Sequence, residues 1–123
     1  MPSKNPLVPL RDIRDNIRLA QSFVEGFSLR QFKGDTRTIY AVIRCLEIIS
    51  EASRRLPAAL KKQHPHIPWQ DIAGAGNVYR HDYEEISTVM LWNTVKVLPD
   101  LQNVVEQELL QRKSERPKRS SRR

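Results

Sequence analysis

The sequence predicts an all-α protein, an up-and-down four-helix bundle with short extra helical turns. Three observations lead there. Apolar residues recur every three or four positions through long stretches of the 123 residues, which is the period of a helix with one buried face. The strict alternation of a half-buried strand is absent. Residues 37–56 are apolar round so wide an arc that the helix they form must be covered on more than one side, as two neighbours in a bundle would cover it.

Residues 1–9 carry three prolines and no periodicity and read as an arm. The bundle domain is expected over 10–112. Its first helix begins near Pro9, with Ile13, Ile17, Ala20, Phe23 or Val24 and Phe27 on the core face and Arg11, Asp12, Arg14, Asp15 and Arg18 opposite. Gly26 and Ser28 weaken that helix, and residues 28–32 suit a short helical piece before Gly34. Asp35 or Thr36 is placed to cap the next helix. In that helix Ile39, Val42, Ile43, Leu46, Ile49 and Ser53 form the stripe, and Tyr40, Cys45, Ile48 and Ala52 widen it. Arg44, Glu47, Glu51 and Arg55 share a flank at spacings of three and four, the pattern of a salt-bridged solvated face.

A short turn of helix follows from Pro57 to about Lys62, and then His64-Pro-His66 in a loop. Two loop imidazoles without nearby cysteines or spaced carboxylates point to no metal site. Pro68 and Asp71 mark the start of another helix, with Trp69 as a core anchor. Gly74 and Gly76 each cost that helix about 1 kcal/mol relative to alanine, so they mark either a close approach of another backbone or substrate, or a tolerated pair. In the last helix Ile86, Val89, Met90, Trp92 or Asn93, Leu98, Leu101, Val104, Val105, Glu108 and Leu109 make a stripe that crosses an expected bend before Pro99.

The net charge of +7 suggests nucleic acid until it is located. Residues 112–123 hold seven Lys/Arg against one Glu, so the tail carries +6 and residues 1–111 only +1. Salt-sensitive attraction to RNA is therefore expected mainly from the tail. From Ser114 onward no hydrophobic residue occurs, and a segment that buries nothing cannot offset its ordering entropy, so residues 113–123 are expected to be a disordered basic tail. Cys45 is the single cysteine and is expected as a buried thiol. No signal peptide, membrane-length apolar run, phosphate-binding lysine loop, dinucleotide glycine fingerprint or zinc-finger spacing is present. A soluble cytoplasmic protein without a cofactor is expected.

The chemistry concentrates in residues 68–83, PWQDIAGAGNVYRHDY. Ile72, Ala75 and Tyr79 fall on one helix face, while Asn77 and His81, four apart, are neighbours on another. Tyr83 follows directly. A carboxamide, an imidazole and a phenol within one turn can all hydrogen-bond a phosphate or an activated hydroxyl.

This stretch resembles the HepT-like branch of the HEPN superfamily, small all-helical proteins whose signature is Arg, four to six residues, His, one residue, Tyr. The resemblance extends to residues 41–56, like the family's long second helix, and to residues 89–99, like the start of its last. It covers all but the tail. At the arginine's place, five before His81, stands Gly76; Arg80 sits beside the histidine instead. The resemblance implies metal-independent RNA cleavage with His81 as acid or base, Asn77 orienting it or donating to a phosphoryl oxygen, and Arg80 stabilising charge. Arg44 or Arg37 is a further source for the missing cation. It implies a homodimer, which brings two imidazoles to one cleft, and a toxin and antitoxin pairing with a minimal nucleotidyltransferase of the MntA type that attaches AMP to Tyr83. A second class of function, a non-catalytic module that binds or regulates the nucleotidyltransferase, is favoured by Gly76, whereas His81 with Tyr83 favours the ribonuclease.

Overall fold

The computed structural model describes residues 5–81 and 87–114, with side chains for all of these except 77–81 and 113–114. Among the described residues it contains six helices and no strand: α1 (Leu7–Val24), α2 (Leu29–Lys33), α3 (Thr36–Arg54), α4 (Ala58–Lys62), α5 (Trp69–His81) and α6 (Thr88–Ser114). The four long helices are the predicted bundle, and α2 and α4 are the predicted extra turns. α6 takes in residues 113 and 114 of the tail expected to be disordered over 113–123; the rest of that tail, 115–123, and Ile86 at the start of the last stripe lie outside the described residues.

Local chemistry sets the helix starts. α1 begins at Leu7, ahead of the expected start near Pro9, because a proline in the first turn lacks only an N–H that would have no helical partner there. The Pro6 carbonyl accepts from Leu10 N at 3.0 Å, and the Asn5 side chain accepts from Leu7 N at 3.0 Å. Gly26 takes a positive φ of 80° and turns the chain out of α1. Ser28 and Gln31 form a reciprocal capping box on α2, with Gln31 N donating to Ser28 Oγ at 3.1 Å and Ser28 N to Gln31 Oε1 at 2.8 Å. Of the two caps offered for α3, Asp35 is the one used: its Oδ1 accepts from Thr38 N at 3.0 Å.

α1 packs along α3 on one side and α6 on the other, and α3 carries α5 on a different flank. α1 and α6 run antiparallel, since Arg18 meets Glu106 at 3.1 Å while Gln21, further along α1, meets Gln102, further back along α6, at 3.1 Å. The core is formed by Leu10, Ile13 and Ile17 of α1, Val42, Leu46 and Ile49 of α3, and Leu91, Val95, Leu98, Leu101 and Val105 of α6. Phe32 on α2 is completely buried, its ring 5.5 Å from that of Trp92, and this pins the short helix to α6. Burial pushes the Cys45 thiol above its ordinary value, with the Arg44 charge opposing.

Packing corrects the stripes in two places. Tyr40, expected to widen the α3 stripe, is 57% exposed. In the first two turns of α6 the buried positions are Leu91 and Val95, while Val89 and Met90 are exposed, so that end of the helix is rotated from the expected phase. The α6 face is set by Leu98 and Leu101, and stepping back from them by three or four residues gives Val95 and Leu91. The helix is assigned without a break through Pro99.

The polar flank of α3 divides. Arg44 Nη1 pairs with Glu47 at 3.3 Å, as its spacing suggests, but Arg55 crosses to Asp12 on α1 at 3.0 Å. At the far end of the bundle Glu108 is 3% exposed; its carboxylate lies 2.6 Å from His64 Nε2 and also receives Arg112. A carboxylate so deeply buried needs both partners, which makes His64 of the His-x-His pair a clamp between the α4–α5 loop and α6. No group of three metal-ligating side chains occurs among the described residues.

Candidate functional site

The motif helix α5 is held at both ends of its first half. At its start Pro68 lies just outside the helix and its carbonyl accepts from Ile72 N at 3.0 Å, while Trp69 Nε1 donates to the His64 carbonyl at 3.0 Å. Trp69 is thus the expected anchor, partly buried against the core. Further on, α3 reaches into the α5 backbone. Ser50 Oγ donates to the Ala73 carbonyl at 3.0 Å and accepts from Gly76 N at 2.9 Å, and Arg54 Nη1 adds a third bond to the same carbonyl at 2.8 Å.

Ser50 is 1% exposed, so its hydroxyl has no water to fall back on. Gly76 is buried and Gly74 is exposed. At Gly74 a Cβ would find nothing within 4 Å, so this chain makes no close approach there; the close approach is the serine hydroxyl at the amide of Gly76. Neither Ser50 nor Arg54 was singled out from the sequence; the signal for them is a polar side chain one turn from Leu46 on an apolar helix, which needs a partner when buried, with an arginine four residues further along. Arg44, offered as a source for the missing cation, is engaged by Glu47, and the arginine that crosses to α5 is Arg54.

Beyond this grip lie the residues singled out for chemistry. Asn77, Arg80 and His81 belong to α5, whose described part runs to His81. Their side chains, the Tyr79 side chain and the whole of Tyr83 lie outside the described residues. What the fold supplies is the backbone frame: the helix that carries the motif is fastened through Ala73 and Gly76 immediately before Asn77.

α5 and α6 hardly meet along their lengths among the described residues, leaving the fourth seam of the bundle open. A cleft of about 350 Å³ fills it, floored by Leu46, Ile49, Ile72, Ala75, Leu98 and Leu101 and edged by His66, Asp71, Thr94 and Asp100. Among the described residues Ala75 is the lining position nearest the motif. α5 is therefore an edge helix, covered mainly by α3 among those residues.

A sequence model of the family described as Ribonuclease HepT-like matches residues 13–108, from the first turns of α1 to the buried glutamate of α6. The chain is 39% identical over 98 residues to a probable ribonuclease HepT of Thermococcus cleftensis, covering 79% of this chain and 89% of that one. It is 33% identical over 110 residues to a putative RNase of Caldanaerobacter subterraneus subsp. tengcongensis, covering 89% and 97% of the two chains. A putative RNase of Methanocaldococcus jannaschii is 29% identical over 107 residues, covering 86% and 88%. No solved structure matches. No helix among the described residues is long and apolar enough to cross a membrane.

Proposed function

The chain belongs to the HepT-like ribonuclease family, and from that premise we propose that it is a metal-independent RNA endonuclease and the toxin component of a pair with a nucleotidyltransferase of the MntA type. The observation that supports the reading is that α5 carries Asn77, Arg80 and His81 on one helix, with Tyr83 two residues further along the sequence.

The reaction needs few groups. A base removes the proton of a 2′-hydroxyl, that oxygen attacks the adjacent phosphorus, and the bond to the 5′-oxygen breaks as that oxygen takes up a proton, leaving a cyclic phosphate and a free 5′-hydroxyl. An ordinary imidazole titrates at about 6.5 and serves as base or acid near neutral pH. Asn77 orients His81 or donates to a phosphoryl oxygen, and Arg80 faces the developing charge. Metal-free protein in EDTA should cut single-stranded RNA to fragments with cyclic-phosphate ends; intact RNA after prolonged incubation overturns the proposal.

One imidazole cannot stand on both sides of the phosphorus, so the active form is a two-fold dimer built on α5. The uncovered side of α5 and the free space over Gly74 support that arrangement. Sedimentation at micromolar concentration is expected to give twice the 14.3 kDa chain mass, and a lone monomer would reject the dimer.

Tyr83, flanked by Asp82, Glu84 and Glu85, is the residue that the partner enzyme adenylylates, and the added anion opposes RNA phosphates beside His81. Incubation with the partner and ATP should add AMP, read by intact mass, to the native chain and to Tyr79→Phe but not to Tyr83→Phe. AMP on Tyr83→Phe would reject the assignment. Gly76 in the motif arginine's place favours a second reading, a non-catalytic module that only binds or regulates the nucleotidyltransferase. Accepting AMP without cleaving RNA at any protein concentration is the result that selects it.

A further inference from the structure

The geometry points to a seat for an RNA strand in the groove between α1 and the second half of α6, on a different flank of α3 from the motif helix. It rests on the ribonuclease reading only for the choice of RNA as the polyanion. The groove has a volume of about 460 Å³ and is lined by Arg11, Arg14 and Arg18 of α1 and by Glu106, Leu109 and Leu110 of α6.

The three arginines fall at i, i+3 and i+7, so their Cα atoms lie on one face at steps of about 4.5 and 6 Å along the axis. Their hydrogen-bond donors are only partly spent. Arg14 uses Nε on Asp15 at 2.9 Å, leaving both terminal amino groups, and Arg18 gives one terminal nitrogen to Glu106 at 3.1 Å. Arg11 has no acidic partner among the described residues. A guanidinium carries five N–H donors, so a carboxylate that occupies one or two of them holds the group in place and leaves the others for phosphate oxygens. Leu110, 67% exposed, and Leu109 supply an apolar wall beside these cations, suited to the sugar faces of a strand. No aromatic ring lines the groove, so the seat holds RNA without choosing bases.

An acidic amphipathic helix of a protein is the other occupant that such a groove could take. The chain's own sequence favours RNA. α6 ends at Ser114, one turn beyond Leu110, at the end of the bundle where α1 begins. From Arg112 the sequence runs to seven Lys/Arg against one Glu, and from Ser114 it has no hydrophobic residue. A cationic segment with nothing apolar to bury fits a phosphate backbone better than the surface of a folded partner, and the last described residue before it, Ser114, lies at the end of the bundle where the arginine row begins. The groove thus lies near the point at which the chain turns strongly cationic in sequence, on a body that is otherwise close to neutral.

The test is the anisotropy of a labelled single-stranded RNA of about a dozen nucleotides, titrated with His81→Ala protein in EDTA at several salt concentrations, so that no strand is cut. Arg11→Gln/Arg14→Gln/Arg18→Gln should bind roughly tenfold or more weakly and flatten the salt slope by about 2, near 0.7 for each single-strand phosphate that the variant no longer neutralises. Arg11→Gln alone, which breaks no pair, should weaken binding and flatten the slope by roughly 0.7 or less. Deleting residues 113–123 should reduce affinity separately and leave thermal stability unchanged. Unchanged affinity and slope in Arg11→Gln and in a triple variant that melts like its parent overturns the seat. So does an acidic helical peptide that binds the groove while RNA does not. Cleavage by the native chain alongside groove-independent binding rejects the seat and keeps the ribonuclease; groove-dependent binding without cleavage does the reverse.

Discussion

His81→Ala is expected to lower RNA cleavage in EDTA by roughly a hundredfold to ten-thousandfold while the domain stays folded. The range is what a positioned acid or base contributes to a proton transfer, and His81 is the one histidine of the three on the motif helix. His64 is engaged by the buried Glu108, and His66 edges the α5–α6 cleft. Those positions supply the controls. His66→Ala should cleave like the native chain, whereas His64→Ala should lose melting temperature through its clamp on α6 before it loses anything chemical. With two copies of His81 around one cleft, one as base and one as acid, the pH profile of cleavage should be bell-shaped, and its alkaline and acid limbs should both vanish with His81. Mixing His81→Ala with native chains should give heterodimers of reduced activity. Equal cleavage by native and His81→Ala protein, free of contaminating nuclease, would place the chemistry elsewhere on the molecule.

Ser50→Ala is expected to cost about 2 kcal/mol of stability and a larger share of activity. The hydroxyl is buried and makes two bonds into the α5 backbone, and a buried polar group left without its partner costs about 1–3 kcal/mol. For a domain of this size that loss should lower the melting temperature by roughly 8 °C. The effect on activity follows from where the bonds fall. Ala73 and Gly76 are the last points at which the rest of the chain is seen to hold the helix before Asn77, so losing them lets the motif turn shift against α3. A displacement of about 1 Å far from the reacting atoms can cost a hundredfold in rate. Cleavage should therefore fall well below what the folded fraction accounts for, at temperatures where the variant is fully folded. Ser50→Thr, which keeps the hydroxyl, should recover part of both losses. A variant that melts lower yet cleaves at the native rate when folded would confine Ser50 to stability.

The helices were legible because their signals are local. Capping residues such as Ser28 and Asp35, prolines ahead of α1 and α5, and the recurrence of apolar side chains act within one or two turns, and the chain forms those turns wherever they end up. The motif could be singled out for the same reason: Asn77, Arg80 and His81 are close in sequence, and the helix that carries them is read from local signals alone. The cluster's resemblance to a ribonuclease family also survived comparison, since it spans most of the chain rather than one turn.

Only the tertiary structure decided how the helices face one another. A helix fixes which residues share a face, but its rotation and its slide along a neighbour come from packing against that neighbour. For this reason the sequence placed Val89 and Met90 on the α6 stripe where Leu91 and Val95 take the core, and it drew Tyr40 toward the inside of α3. For the same reason it read Arg55 as part of a solvated flank and His64 as a loop residue, although each has its partner on another helix, Asp12 and Glu108. The bonds that fasten the motif helix, Ser50 to Ala73 and Gly76, join residues 23 and 26 positions apart. Their direction depends on the register of α3 against α5, a property of two helices that neither one's sequence contains.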